Sequence, residues 1–356
     1  MWLYILSIAA LLLYLFVTKS LNYWKYKGVA QYDLLVVLRE IFFGIILYRS
    51  FIEVVKGIYN DFPGRRYCGT YQLLKPTLVI RDRELIKQLT IKDFDHFTDH
   101  FQIVPENSEP MWEKNLFSLT GEKWKHMRAT LSPSFTSSKM KIMFTAISEC
   151  AKNFVEFFDQ QPGTITVEMK DIFTRVTNDI IATTAFGINC DSMRNPNNEF
   201  YTMGKSLTTF RGLIINLKFA LMFVLPILAK KFNVKLFPQK FATYFLKIVK
   251  ENIESRKKNN IVRPDMIHLL LEARSREELS DEDITAQALI FFFAGFDSVS
   301  TLMCFMTHEL AMNVDVQKRL QSEIDDILNL CEGNLTYEAL SKMKYMDMVV
   351  SEALRK

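Results

Sequence analysis

An acid, a hydroxyl and a glycine fall together inside a run of bulky apolar residues, IFFFAGFDSVSTLMCFMTHE at positions 290–309. Gly295 inside a helix costs about 1 kcal/mol against alanine, so it serves close approach of something to the backbone. Ser298 can bond back to a carbonyl one turn earlier and loosen the helix locally. Asp297, set among Phe291, Phe292, Phe293, Phe296 and Met303, is costly to bury without a partner or a task. Two readings stay open on these residues alone. One is a proton-delivering kink beside a large flat ligand; the other is a core helix with a surface-facing aspartate and a packing glycine.

Other pairs could do chemistry of a simpler kind. Trp124 and Arg128 in GEKWKHMRATLSPSF are four apart and share a helical face. An indole N–H beside a guanidinium suits carboxylates on an apolar ligand, though a tryptophan packed under a surface arginine has the same spacing. Glu352 and Arg355 are three apart and can form a charge-assisted bond on one helix face. His96 and His100 lie near Asp93, Asp95 and Asp99, which a polar helix end explains better than a metal site, and no metal ligand set is expected. No GxSxG, Walker, GxGxxG or HExxH pattern occurs.

These side chains need elements to hold them, and the periodicity is mostly helical. Apolar residues three and four apart mark helices near 84–92, 121–132, 138–159, 167–185, 238–257, 281–308, 314–329, 336–342 and 345–356. Ser280 suits the N-cap of the helix at 281, and Asp281, Glu282 and Asp283 suit its positive end. RYCGTYQLLKPTLVIR (66–81) predicts a small hairpin turning at Lys75-Pro76. ESRKKNNIVRPD (254–265) has the composition of an exposed connection.

Three apolar segments bear on a membrane. Residues 1–18 carry no side-chain charge; as a helix at about 1.5 Å per residue they approach the roughly 30 Å hydrocarbon core. Trp2, Tyr4, Tyr23 and Trp24 stand where interfacial aromatics stand. Lys19, Lys25 and Lys27 put the remainder on the cytoplasmic side. A secretory signal would have a positive start, a shorter core and a small-residue cleavage site, none of which is present. Residues 31–52, interrupted by Asp33, Arg39 and Glu40, predict an interfacial helix. LIINLKFALMFVLPILAKKF (213–232), broken by Lys218 and Pro226, predicts a membrane-dipping lid or a buried helix in preference to a span.

Composition narrows the class. Of 356 residues 49% are hydrophobic and 24% charged, so a sizeable core is available and global disorder is excluded. Lysine plus arginine (44) against aspartate plus glutamate (40) is too even for nucleic acid as the main partner. Twenty-nine phenylalanines and 16 methionines suit an enclosed apolar ligand or any helical core. The five cysteines, Cys68, Cys150, Cys190, Cys304 and Cys331, form no CxxC and no disulfide framework, and are expected to be reduced thiols.

In order along the chain, an apolar amino terminus, a hairpin, WKHMR with LSPSFT, AGFDSVS and EALR resemble a microsomal cytochrome P-450, a heme-thiolate monooxygenase. VTNDIIATTAFGIN, ELAMNVDVQKRLQSEID and YMDMVVSEALR are similar to its insect detoxification branch. The resemblance implies the family's fold, mainly α with a small β-sheet patch. It divides the chain into an anchor (1–18), a juxtamembrane segment (19–60) and a partial catalytic domain (61–356). It implies a heme b whose propionates take Trp124 and Arg128 as donors, with His100 as a further basic partner. Ala294 and Gly295 would flank the heme, Asp297 and Ser298 would deliver protons, and relatives usually have threonine where Ser298 stands. Phe291, Phe292, Phe293 and the Phe-rich 210–224 region would line the pocket for a lipophilic substrate. Glu352 and Arg355 would form the structural salt bridge. The implied partners are an NADPH-dependent flavoprotein reductase and the endoplasmic reticulum membrane, with the catalytic domain facing the cytoplasm.

Two departures qualify that expectation. The proline-rich hinge after the anchor is missing, the first proline being Pro63. The family's iron-ligating cysteine sits in a glycine-containing loop well beyond the Glu–Arg motif, whereas Cys304 lies in MCFM and Cys331 in LCEG. The resemblance therefore implies an incomplete record that is inactive alone. A heme-free, membrane-anchored binder of apolar ligands is the alternative.

Overall fold

The computed structural model describes all residues except 1, 34, 38, 40–50, 73–74, 101, 103, 105–108, 209–212, 264 and 276–278. The interfacial helix expected over 31–52 and Phe210 fall largely or wholly outside the described residues. The chain divides into two compact units, Met1–Glu109 with Phe210–Leu236, and Pro110–Thr209 with Phe237–Lys356.

In the first unit, helix α1 (Trp2–Leu21) leads to a hairpin of β1 (Tyr67–Gln72) and β2 (Lys75–Ile80). The strands are antiparallel, and Gln72 pairs with Lys75 at the closed end. The turn is therefore not at Lys75-Pro76: Pro76 stands inside β2 opposite Tyr71, tolerable because an edge strand can do without one N–H. The chain after α1 docks on the hairpin, with Trp24 Nε1 donating to the Thr70 carbonyl (3.0 Å) and Gln31 accepting from the Tyr71 hydroxyl (2.8 Å). The 213–232 stretch is two helices, Leu213–Val224 and Pro226–Lys231, with the proline at the first helical position, where its missing N–H is harmless.

The second unit is helical. Its main elements are α2 (Gly121–Leu131), α3 (Ser137–Asp159), α4 (Met169–Ile181), α5 (Glu199–Thr208), α6 (Gln239–Asn259), α7 (Met266–Arg274), α8 (Asp281–Met312), α9 (Val314–Leu330) and α10 (Lys344–Arg355). α8 is the axis of the unit. Ser280 starts it with a reciprocal capping box: its hydroxyl accepts from the Asp283 N–H (3.1 Å), and the Asp283 carboxylate accepts from the Ser280 N–H (2.9 Å). The amino-terminal half of α8 is wholly buried from Ile284 to Leu289. Phe292 and Phe296 continue that buried face into a cluster with Phe186, Phe200, Phe245 and Tyr201.

The 254–265 stretch is not an exposed connection throughout. Its first half completes α6, and Arg256 and Asp265 are almost wholly buried against each other at 2.8 and 2.5 Å. Asp265 also caps α7 by accepting from the His268 N–H. A turn that looks solvated by composition is closed by a bidentate ion pair.

Candidate active site

α8 carries the site, and its faces have different tasks. The buried face, Phe292 and Phe296, fills the aromatic core. A second flank meets α4, where Lys170, Thr174 and Thr177 fall at the i, i+4, i+7 spacing of one helix face. Thr177 donates to the Phe296 carbonyl (2.8 Å) and Thr174 to the Ser300 hydroxyl (3.4 Å). Lys170 Nζ binds the Asp297 carboxylate (2.8 Å) and donates to the Asp297 carbonyl (3.2 Å), Ser300 Oγ (2.8 Å) and Thr301 Oγ1 (2.6 Å). The third face is open: Ala294, Ser298 and Phe305 are exposed along it, and Phe291 is half-buried.

Several expected residues land differently from the sequence reading. α8 is continuous from Asp281 to Met312, with no break at Ser298, whose hydroxyl simply donates to the Ala294 carbonyl. Gly295 packs against protein: a Cβ there would lie 3.1 Å from Ile181 Cδ1 of α4. Asp297 is 56% exposed and paired with Lys170, so the cost of burying it never arises. Phe292 is wholly buried in the core, while Phe291 and Phe293 sit at its edge, Phe291 tilted against Phe135 (5.5 Å) and Phe293 edge-on to Trp112 (5.5 Å). The Phe291–Phe135 contact brings the 3-10 turn that follows α2, Ser132–Phe135, to α8.

α2 presents the expected donors because its other face is pinned. Met127 and Leu131 are buried in the core, which leaves Trp124 half-buried and Arg128 exposed. Among the described residues Arg128 has no carboxylate partner, so its guanidinium is available to an anion. His100 is exposed and belongs to the other unit. His96 ends a short 3-10 turn, Phe94–His96, so the two histidines do not share a helix. Among the described residues no three His, Cys, Asp or Glu side chains could hold a metal ion. Glu352 and Arg355 form a bidentate pair on α10, at 2.7 Å for both bonds, and the guanidinium holds Glu352 below the usual carboxylate range.

An apolar open face suits a flat apolar ligand, and the exposed Arg128 guanidinium suits an acid. All five cysteines are free thiols. Burial raises Cys68, Cys150 and Cys304, and pushes Cys190 up to about 12 with help from the Asp179 charge. Cys304 shares the flank of Lys170 and Asp297, away from the open face. Cys331 closes the end of α9. The Lys170–Thr174–Thr177 seam escaped the sequence reading; its only signal there was polar spacing within an amphipathic helix.

Fold and site together define a mainly helical protein whose central helix offers a hydroxyl and a nearby acid beside an apolar open face. The cytochrome P450 family model matches residues 64–356. Cytochrome P450 9e2 of Blattella germanica is 43% identical over 388 residues, covering 100% of this chain and 73% of the cockroach protein. The probable cytochrome P450 9f2 of Drosophila melanogaster is 40% identical over 372 residues, covering 98% of this chain and 72% of its own length. The chain belongs to the cytochrome P450 family, with insect relatives, and that family's general activity is heme-dependent monooxygenation.

Proposed function

We propose that this chain serves a monooxygenase that inserts one oxygen atom of O₂ into a lipophilic substrate, with NADPH-derived electrons passed by a flavoprotein reductase. The observation that carries the reading is the open face of α8, where the Ser298 hydroxyl stands exposed one turn from Ala294 and beside Asp297. Bound heme supplies the dioxygen chemistry. Arg128 and Trp124 hold its propionates through charge-assisted and indole N–H bonds. Phe291 and Ala294 would exclude water beside the bound heme. Ser298 Oγ is the proton donor on that face, and Asp297, in contact with solvent, replenishes it.

The domain organisation follows the same reading: an anchor at 1–18, a juxtamembrane segment at 19–60 and catalytic residues from 61 to 356. α1 anchors the protein in the endoplasmic reticulum membrane with the rest in the cytoplasm. Leu213–Val224 and Pro226–Lys231, with Ile214, Leu217, Leu228 and Phe232 exposed, dip into its surface. The iron thiolate comes from the part of the relatives' length that these residues do not span. The settings of the five cysteines also favour a second reading for the 356 residues by themselves, a heme-free binder of apolar ligands.

A ferrous carbon monoxide spectrum separates the two. It is recorded on the 356-residue chain and on the same chain joined to the part of the Blattella relative that the match leaves uncovered. A thiolate-type band in the extended protein alone supports the monooxygenase reading. A band from the 356 residues alone would mean that one of the five cysteines is the ligand, and no heme uptake by either sinks the monooxygenase.

A further inference from the structure

Two buried N–H groups on the segment that precedes α2 have no acceptor among the described residues: the Trp112 indole Nε1 and the Asn115 amide Nδ2. Trp112 is 8% exposed and Asn115 is wholly buried. Burying a donor without an acceptor forfeits its bond to water and gains nothing in exchange, so such groups are few in folded proteins. We infer that Trp112 Nε1 and Asn115 Nδ2 form a polar subsite for the apolar ligand, which carries an uncharged carbonyl oxygen. The inference rests on the apolar ligand of the proposed function and adds one chemical feature to it.

Neither donor is free to turn elsewhere. Trp112 stands in a single helical turn, Pro110–Glu113, with its ring stacked on Phe237 (5.0 Å). Phe293 of α8 (5.5 Å) and Phe117 (6.5 Å) meet it in T-shaped contacts, and rotating the indole would break all three. Asn115 Oδ1 accepts from the Ser118 N–H (3.0 Å), so flipping the amide would set Nδ2 against that donor. The backbone is strapped as well. Gln287 of α8 is wholly buried; its Oε1 accepts from the Leu116 N–H (2.9 Å), and its Nε2 donates to the Lys114 carbonyl (2.7 Å). A glutamine that spends both ends of its amide on one segment fixes that segment's register on α8.

The surroundings select the kind of oxygen. Lys114 is the only cationic residue between positions 110 and 119, and it is engaged by Glu282 (2.7 Å) and Asp283 (3.6 Å) at the start of α8. The subsite therefore offers neutral donors set in an aromatic wall, where a carboxylate would be desolvated without a counter-charge. A neutral carbonyl oxygen loses less water on entry, and its two lone pairs accept two N–H bonds. Phe117 is 44% exposed, which leaves one side of the wall open to a flat apolar body.

Fluorenone and fluorene are the same flat plate with and without a carbonyl, so the pair separates the subsite from the apolar site around it. Equilibrium dialysis of the full 356-residue chain in lipid nanodiscs, against empty nanodiscs, gives the affinity for each probe and needs no heme. The native chain should hold fluorenone about tenfold more tightly than fluorene. Trp112→Phe keeps a ring and removes the N–H; it should cut that preference about threefold and leave fluorene binding as it was. The infrared carbonyl stretch of bound fluorenone should lie at lower wavenumber in the native chain than in Trp112→Phe. Equal affinity of the native chain for the two probes would mean that the donors hold a structural water only, and overturns the subsite whether or not the variant folds. An undiminished preference in Trp112→Phe overturns the assignment of the indole. Failure of both probes to bind overturns the apolar ligand itself, whereas fluorene binding without a fluorenone preference overturns the subsite alone.

Discussion

Gly204 of α5 lies so close to Phe292 of α8 that a Cβ on it would sit 2.2 Å from the ring Cζ. Phe292 has no room to retreat: it is fully buried, with the rings of Phe200, Phe245 and Phe296 at 5.3, 5.4 and 4.9 Å. The α5–α8 packing is thus set by the absence of one methyl group. Gly204→Ala should destabilise the protein by about 1–3 kcal/mol through overpacking, against a helix-propensity gain of about 1 kcal/mol. The midpoint of denaturant unfolding in detergent measures it. Adding Phe292→Leu should recover part of the loss, and no loss in the single variant would show that the ring can shift.

The buried pair of Arg256 and Asp265 gives a larger effect. Arg256→Ala leaves the Asp265 carboxylate buried without its cation, a situation that costs about 3–5 kcal/mol. Replacing both, Arg256→Met with Asp265→Asn, removes the charge and keeps a capping side chain for α7. The double variant should unfold later than Arg256→Ala. Equal midpoints would mean that the lost charge pairing is not what destabilises the single variant.

The two positions show where sequence reading stopped. Helix periodicity, the Ser280 cap and the Trp124–Arg128 face were legible because each depends on residues within one or two turns. Arg256 and Asp265 were not: the stretch is charged by composition, and only the fold of the turn buries both ends. Lys170 and Asp297 are 127 residues apart, so nothing local announces their contact. Gly295 was visible as an oddity, but whether its missing side chain clears a ligand or Ile181 is decided by tertiary packing. Lys75-Pro76 carries a turn signal that strand pairing overrode.

Acid should loosen the second unit at a definable pH. Burial by itself would raise Asp171, but hydrogen bonds from Lys205, Arg175 and Tyr201 outweigh it and bring the carboxyl down to about 2. A depressed carboxylate contributes stability that is complete above its ordinary value of 3.8 and disappears as pH falls toward about 2. Thermal unfolding midpoints should therefore drop across that interval. Asp171→Asn should lower the midpoint at neutral pH and flatten the drop; an unchanged acid limb would place the titration elsewhere.

Arg128 makes a prediction about the cofactor. A charge-assisted bond to a propionate is worth about 1.5–3 kcal/mol, which corresponds to a roughly 10–100-fold change in retention. In the heme-loaded protein, Arg128→Ala should release heme to apomyoglobin faster by that order, and Arg128→Lys should recover part of it. Substrate preference should stay as it is if Arg128 serves the propionate alone. Equal heme release in Arg128→Ala and the native protein removes the residue from this role.

Ser298 separates a proton donor from a helix ornament. Its hydroxyl bonds to the Ala294 carbonyl, an arrangement that any mid-helix serine can adopt without further purpose. Exposure on the open face is what distinguishes it. Ser298→Ala keeps the helix and removes the donor, so peroxide released per NADPH consumed should rise severalfold. Ser298→Thr adds a methyl group that restricts the side-chain rotamer while keeping the hydroxyl. It should release no more peroxide than the native protein, and less if rotation of the serine is what wastes reducing equivalents. Equal release from all three proteins would leave Ser298 with its carbonyl bond as its whole function, and the proton path would have to run through another group on the open face.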